Sequence, residues 1–323
     1  ERTRLLRDPG KPLFNRAVSG LYNPASTIKP LVALSALREG IVTPQTGVFS
    51  AGFLDIPNPY APDAPSRFLD WKAHGWVTLA SALARSSNIY FYLAGGGFPA
   101  SVSRADLVDG SFNSSGVGIA RFNDYWQKFG FGAKTGIDLP FETSGFLPEA
   151  DEKKARTGQP WRLGDTYNVS IGQGDLLVTP LQLLSFFASI GNGGRILAPF
   201  VRKDSAPVVT ADYSDWQEEI AAVHRGLEDA VAKEYGTAYL LHNLPVRVAA
   251  KTGSAQTNNN ARTNALFVGY APVDEPQVAV LILIENSKEG SHNTTPIAKD
   301  VLNWYYEKRI AKENNDRDYD NDE

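Results

Sequence analysis

Tyr22-Asn23-Pro24-Ala25-Ser26-Thr27-Ile28-Lys29-Pro30 leads into the first clear helical pattern of the chain. Ile28, Leu31, Val32, Leu34 and Leu37 recur at helical spacing, and Gly40 follows as a stop signal. Pro30 falls in the first turn, where its missing N–H is tolerated. Ser26 and Lys29 form the chain's only Ser-x-x-Lys. Residues three apart at a helix start share a face, so Lys29 can reach the Ser26 hydroxyl. Serine is a weak nucleophile until a base takes its proton, and a lysine with a depressed pKa can do that. The N–H groups of the helix start can meet an oxyanion. On its own, such a four-residue pattern is better read as a capping serine beside a surface lysine.

Two further patterns change that balance. Ser86-Ser87-Asn88 lies in a second apolar helical stretch, residues 79–93. Lys251-Thr252-Gly253-Ser254 lies in the first of three strand-like runs, 246–255, 264–270 and 278–284. The short link 271–277 predicts an antiparallel pair. Helical patterns also cover 122–129, the stretch opened by Thr179-Pro180 and closed by Gly191-Asn192-Gly193-Gly194, 216–242 and 295–310. Residues 41–75 are rich in Pro and Gly and read as loops, 95–118 as a mobile Gly/Ser loop, and 140–165 as polar and irregular. A helical region followed by a helix-flanked antiparallel sheet is an α+β layout.

Short motifs recur by chance. Lys134-Thr135-Gly136 is a second Lys-Thr-Gly, but no β pattern runs through it. Ser111-Phe112-Asn113 and Ser291-His292-Asn293 also match Ser-x-Asn. The first lies in the Gly/Ser loop, and the second follows the late Lys-Thr-Gly. Only Ser26/Lys29, Ser86/Asn88 and Lys251–Gly253 satisfy order and context together. Ser-x-x-Lys, Ser-x-Asn and Lys-Thr-Gly form the set used by β-lactamases and penicillin-binding proteins.

With these motifs the chain resembles the transpeptidase domain of class B penicillin-binding proteins from about Pro12 to Arg309. The resemblance includes Asn15-Arg16-Ala17, Thr135-Gly136-Ile137-Asp138-Leu139-Pro140, Ile171-Gly172-Gln173-Gly174, Thr179-Pro180-Leu181-Gln182 and Phe267-Val268-Gly269-Tyr270-Ala271-Pro272. Ahead of Ser26 the family more often carries Pro-Gly than Pro24-Ala25. Trp161 followed by Gly164-Asp165-Thr166 looks most like the elongation-type subgroup, penicillin-binding protein 2.

The resemblance implies a penicillin-binding/β-lactamase-like fold with an all-helical lobe, and a serine D,D-transpeptidase that β-lactams acylate. Ser26 would attack the penultimate D-Ala carbonyl of a peptidoglycan stem peptide, with Lys29 as general base. Ser86 would relay protons toward the leaving group. Asn88 would hold Lys29 and the substrate amide. Lys251 would help keep Lys29 neutral by like-charge repulsion. Thr252 and Ser254 would bind the substrate carboxylate, and Gly253 would admit the substrate backbone. The N–H groups of Ser26 and Ser254 would form the oxyanion hole. No cofactor is expected. The implied partners are stem peptides, β-lactams and a SEDS-family glycan polymerase.

The family's domain opens with one or two strands that join the late sheet, and residues 1–20 contain no convincing strand. The expectation is a transpeptidase domain over 1–311 with its first strands missing, on the extracytoplasmic face of a bacterial inner membrane, anchored by a segment outside this chain. Rival readings are a serine β-lactamase, a β-lactam sensor and a silent stem-peptide-binding scaffold. Glu142 and Glu149 are the only plausible loop carboxylates for a deacylating base. Asp70 and His74, four apart, have a spacing that can hold a metal. Their Pro-rich surroundings favour a surface loop pair, and no metal is expected. His224, His242 and His292 read as structural or solvated, and Trp71 and Trp76 as packing or groove-lining.

Composition agrees. The 323 residues are 42% hydrophobic and 21% charged, which excludes wholesale disorder. The longest apolar run, 278–284, is far short of the roughly 20 residues that span a bilayer. The net charge of −4 lies in residues 312–323, with six acidic and two basic side chains. That tail reads as solvated and disordered. The absence of a basic stripe argues against nucleic acid as the main partner. Cysteine is absent, which removes disulfides, thiolate nucleophiles and zinc-thiolate sites. Methionine is absent too, and Glu1 reads as lying inside a longer gene product.

Overall fold

The computed structural model describes residues 1–312 apart from 59–60, 62, 100–101, 104–105, 258–261 and 288–291. Nearly all of the acidic tail therefore lies outside the described residues. In chain order the elements begin with α1 (Arg2–Arg7), α2 (Arg16–Ser19), a 3-10 turn (Ala25–Ile28) and α3 (Lys29–Arg38). Next come β1 (Gly47–Ser50), β2 (Phe53–Ile56), β3 (Ser66–Leu69), β4 (Gly75–Val77), α4 (Leu79–Arg85), α5 (Asn88–Gly96) and β5 (Val108–Asp109). The helical lobe continues with α6 (Ile119–Lys128), α7 (Ala150–Thr157), α8 (Leu163–Ser170) and α9 (Pro180–Gly191). Then follow β6 (Arg195–Leu197), β7 (Val209–Asp212), α10 (Gln217–Ala232), β8 (Ala249–Thr257), β9 (Arg262–Ala271), β10 (Val278–Ser287) and α11 (Thr294–Tyr305).

The late strands form an antiparallel sheet in the order β10-β9-β8. Its two faces serve two cores. Ala249, Ala255, Leu266, Val268 and Tyr270 join the main core with the helical lobe. Val248, Ala250, Phe267, Ala271 and Val280 pack with Ala298 and Leu302 of α11. Period-2 alternation sends neighbouring residues to opposite faces. Lys251 pairs with Val268 and so faces the helical lobe, whereas Thr252 pairs with Phe267 on the other face.

Helix α3 is buried from Lys29 through Ala36. A helix apolar on all sides belongs at a core centre, and this placement carries the Ser-x-x-Lys motif inward. Helix α9 starts on the capping box that its sequence spells: the Thr179 hydroxyl caps the Gln182 N–H, and the Gln182 side chain answers the Thr179 N–H.

Three expectations need correction. Residues 41–75 are not only loops: β1, β2 and β3 lie there, and β4 starts at their end. Each is at most four residues long, too short for alternation to register. The described part of 95–118 is tied down, with Phe98 and Phe112 buried and stacked at 5.6 Å. Residues 140–165 hold α7, which buries no residue and so shows no apolar period. It is held by charge instead, with acidic residues in its first turn, basic ones in its last, and Arg156 paired with Glu152 and Asp175.

Candidate active site

Ser26 sits in the 3-10 turn that leads into α3. The residue before it, Ala25, has φ +49, a left-handed conformation that costs an L-residue roughly 1–2 kcal/mol. This explains why glycine is usual there. The turn is over-determined by its neighbours. Ala25 N–H donates to Gly172 O at 2.9 Å, Asn23 Nδ2 donates to Gly174 O and Leu176 O, and Tyr22 pairs with Val178. A Cβ on Gly172 would lie 2.1 Å from Ala25 O. The Ile171–Gly174 motif is thus the brace of the turn that carries Ser26.

Ser86 and Asn88 do not lie inside one helix, as expected from 79–93. The chain breaks between α4 and α5. Ser86 is a left-handed C-cap at φ +58, and Ser87 is the N-cap of α5. The break turns both motif side chains toward Lys29. Lys29 Nζ donates to Asn88 Oδ1 at 2.7 Å, Ser86 O at 2.8 Å and Ser86 Oγ at 3.3 Å. It also lies 5.4 Å from the Phe91 ring centroid.

Sequence reasoning missed the anchor of this break. Asp70 is not in a surface loop: its side chain, like that of His74, is fully buried. Asp70 accepts from Ser50 Oγ at 2.9 Å, Ser87 Oγ at 2.8 Å, Asn88 N–H at 2.9 Å and Trp71 N–H at 2.9 Å. It thus occupies the N-terminus of α5, where an anion is favoured. Burial pushes its pKa up. His74 at 3.6 Å, the Lys29 charge, the Asn88 N–H and the Ser87 hydroxyl outweigh that and hold it well below the usual carboxylate range. The Asp-Trp pair ahead of a Ser-x-Asn was visible in sequence, but nothing local announced its burial. Among the described residues no three His, Asp or Glu side chains cluster as metal ligands.

Lys29 is fully buried, and its pKa is lowered to about 7 by that burial, against an opposing pull from Asp70. Burial, with Lys29 beside it, also pushes Lys251 well down. Among the described residues Lys251 Nζ donates only to Thr252 O, at 3.1 Å. Desolvation, rather than repulsion from Lys251, is therefore what makes Lys29 a candidate base near neutral pH. Lys29 forms no hydrogen bond with Ser26 Oγ; its three bonds go to Ser86 and Asn88.

Gly253 packs against the 3-10 turn. A Cβ there would lie 3.1 Å from Thr27 Cγ2 and 3.3 Å from both Ala25 Cβ and Pro24 O. The missing side chain lets β8 close on the turn that carries Ser26. Thr252 is 4% exposed, and its Oγ1 donates to Thr237 Oγ1 at 2.8 Å. Ser254 is exposed, and its carbonyl accepts from Gln173 Nε2 at 3.3 Å. The structure gathers Ser86 and Asn88 onto Lys29, sets Lys251 beside Lys29 and packs Gly253 of β8 against the turn that carries Ser26, while Thr252 lies on the opposite face of the sheet and Ser254 is exposed.

The competing motifs go elsewhere. The Thr135 N–H, the Thr135 hydroxyl and the Gly136 N–H all donate to the buried Glu142 carboxylate, with distances of 2.7 Å and 3.1 Å for the two N–H groups. Lys134-Thr135-Gly136 is a turn closed by Glu142, and Glu142 is committed to it. Glu149 is the exposed residue that precedes α7. Asn113 caps Ser115, and Ser291 lies outside the described residues. His224 packs edge-on against Tyr270, and His242 stacks on Tyr239.

The fold and the three-motif cleft together define the class. The chain belongs to the penicillin-binding protein transpeptidase domain family, whose profile matches residues 2–303. It is similar to the peptidoglycan D,D-transpeptidase MrdA of Haemophilus influenzae, at 33% identity over 96% of this chain and 48% of that protein. It is similar in structure to penicillin-binding protein 2 of Helicobacter pylori, with TM-score 0.80 and 30% identity over 95% of this chain and 53% of that one. A third likeness is to a chain of a peptidoglycan synthase complex described as coordinating polymerization and crosslinking. There the TM-score is 0.77 at 28% identity, covering 95% of this chain and 50% of that one. The chain thus spans about half the length of the relatives it matches.

Proposed function

We propose that this chain is the D,D-transpeptidase domain of an elongation-type penicillin-binding protein. Neutral Lys29 takes the Ser26 hydroxyl proton as Ser26 Oγ attacks the penultimate D-Ala carbonyl of a stem peptide. The N–H groups of Ser26 and Ser254 meet the oxyanion. The proton passes by way of Ser86 to the departing D-Ala amine, leaving an acyl-enzyme. An amine of a second stem peptide then attacks the ester, and Ser26 regains its proton as the new amide bond forms. The observation that carries this reading is the cage around Lys29. One buried lysine, poised to titrate near neutral pH, is held by both members of the Ser-x-Asn motif next to the nucleophile turn.

A fluorescent penicillin tests it. A covalent label that persists, and that is lost in Ser26→Ala, is the expected result. Rapid turnover of the label would point to a β-lactamase, and no label to a scaffold. The commitment of Glu142 to the Thr135-Gly136 turn speaks against the β-lactamase. A cross-linking assay on lipid-linked glycan separates an enzyme from a sensor. The likeness to a chain of a peptidoglycan synthase complex that coordinates polymerization and crosslinking supports a glycan polymerase as partner, which we take to be of the SEDS family, with the domain on the extracytoplasmic face of a membrane-anchored parent protein. No helix among the described residues is long and apolar enough to cross a membrane.

A further inference from the structure

Among the described strands, β8 is an edge of the β10-β9-β8 sheet. In an antiparallel pair, alternate residues turn both N–H and C=O away from the neighbouring strand. Thr252 and Ser254 are two such residues. The Thr252 carbonyl accepts from Lys251 Nζ at 3.1 Å and the Ser254 carbonyl from Gln173 Nε2 at 3.3 Å, so both carbonyls turn away from β9. This edge meets the turn that carries Ser26, where Gly253 packs against Thr27 and Ala25. An extended peptide adds to a strand edge of this kind through main-chain hydrogen bonds. Its N–H needs a carbonyl there, and a side chain already holds the one on Ser254.

Gln173 sits between Gly172 at φ +74 and Gly174 at φ +71, two left-handed residues that make a tight turn. The Gln173 N–H donates to Asn168 O at 2.9 Å, Gly172 O accepts from the Ala25 N–H, and Gly174 O accepts from Asn23 Nδ2. The Gln173 backbone is thus fixed to the turn that carries Ser26, while its half-buried side chain reaches across to β8. Among the described residues the bond to Ser254 O is the one hydrogen bond of that carboxamide. At 3.3 Å it is longer than the roughly 2.9–3.0 Å usual for N–H···O, so a better-placed donor can replace it. A neutral N–H on a main-chain carbonyl is also what a docked peptide would present. We infer that Gln173 is a gate on this edge: its carboxamide stands in for the N–H of the acyl donor's penultimate residue and is displaced when that residue docks. The inference rests on the transpeptidase reading above, in which the N–H of the same Ser254 meets the oxyanion.

The test compares an N-acyl-D-alanyl thioester with an O-acyl-D-lactyl thioester, which lacks only the N–H that would displace Gln173. Gln173→Met keeps the side chain's length and removes its donor. It is expected to raise the second-order rate of Ser26 acylation by the N-acyl donor about two- to tenfold, the worth of one neutral hydrogen bond, through tighter binding. The rate with the O-acyl donor should stay within about twofold of the parent. Equal changes with both donors would make Gln173 a structural brace, and a loss confined to the N-acyl donor would make it a substrate ligand; either result overturns the gate. Binding to Ser26→Ala gives a readout independent of turnover. There, adding Gln173→Met should tighten N-acetyl-D-Ala-D-Ala by the same factor and leave its O-acetyl-D-lactyl counterpart unchanged. Should Gln173→Met not fold, the carboxamide NMR signal of Gln173 in Ser26→Ala decides. It should move with the N-acetyl ligand and stay with the O-acetyl one, and a signal that neither ligand moves overturns the inference. Selective binding without any acyl-enzyme would sink the transpeptidase reading and leave the gate standing. Acylation with no gain for the N-acyl donor would sink the gate alone.

Discussion

Lys29 Nζ lies 2.7 Å from Asn88 Oδ1, and the Asn88 N–H lies 2.9 Å from the Asp70 carboxylate. Lys29 is thus positioned at second hand, by a buried anion that sits outside all three motifs. Local signals did not reveal this link, because Asp70 is separated from Asn88 by a turn and a whole helix.

The first expected consequence concerns pH. Lys29 acts as a base only when neutral, and its pKa is lowered to about 7. The second-order rate of Ser26 acylation by a penicillin should rise as pH increases through about 7 and then level off. A rate that keeps climbing toward pH 10 would show that Lys29 retains an ordinary lysine pKa.

Asp70→Asn keeps the shape but removes the charge and one acceptor. It should slow Ser26 acylation by about tenfold or more, since a charged hydrogen-bond acceptor is worth roughly 1.5–3 kcal/mol. Stability carries a second signature. The folded-state pKa of Asp70 lies below its unfolded value of about 3.9. The folded state therefore binds fewer protons between the two values. The stabilisation is present above about pH 4 and is lost as pH falls through the folded value. Acid melts of Asp70→Asn should be flatter below pH 4 than those of the parent.

Gly253→Ala places a methyl 3.1 Å from Thr27 Cγ2. Overpacking of this kind costs about 1–3 kcal/mol. Thermal melts should show that loss, with slower acylation as β8 is pushed off the nucleophile turn. Gly172→Ala should be worse, because its methyl meets a backbone oxygen at 2.1 Å and its φ is +74. A Gly253→Ala protein with parental melting and labelling would contradict the close-approach role.

Glu142→Gln separates structure from chemistry. Glu142 accepts from Thr135 and Gly136 in a buried turn, so the variant should lose roughly 1–3 kcal/mol of stability. The lifetime of the penicilloyl label should not change. A markedly longer-lived label would make Glu142 a deacylating base.

Sequence alone determined the three motifs and their order, the late antiparallel strands and the capped start of α9. Each is written in local chemistry: a β-branched run, a Thr-Pro-x-Gln box, or a nucleophile and base three residues apart. It also gave the resemblance that names the roles. The tertiary structure decided what those residues can do. Ser86 and Ser87 end one helix and begin another without a Gly or Pro to announce the break, because buried Asp70 rewards it with an acceptor. Asp70 looked like a surface residue, because burial is a property of the packed chain and not of its neighbours in sequence. Gly253 took its meaning from the turn packed against it. The charge state of Lys29 follows from desolvation, which no local pattern encodes and which exists only once α3 lies at the centre of the core.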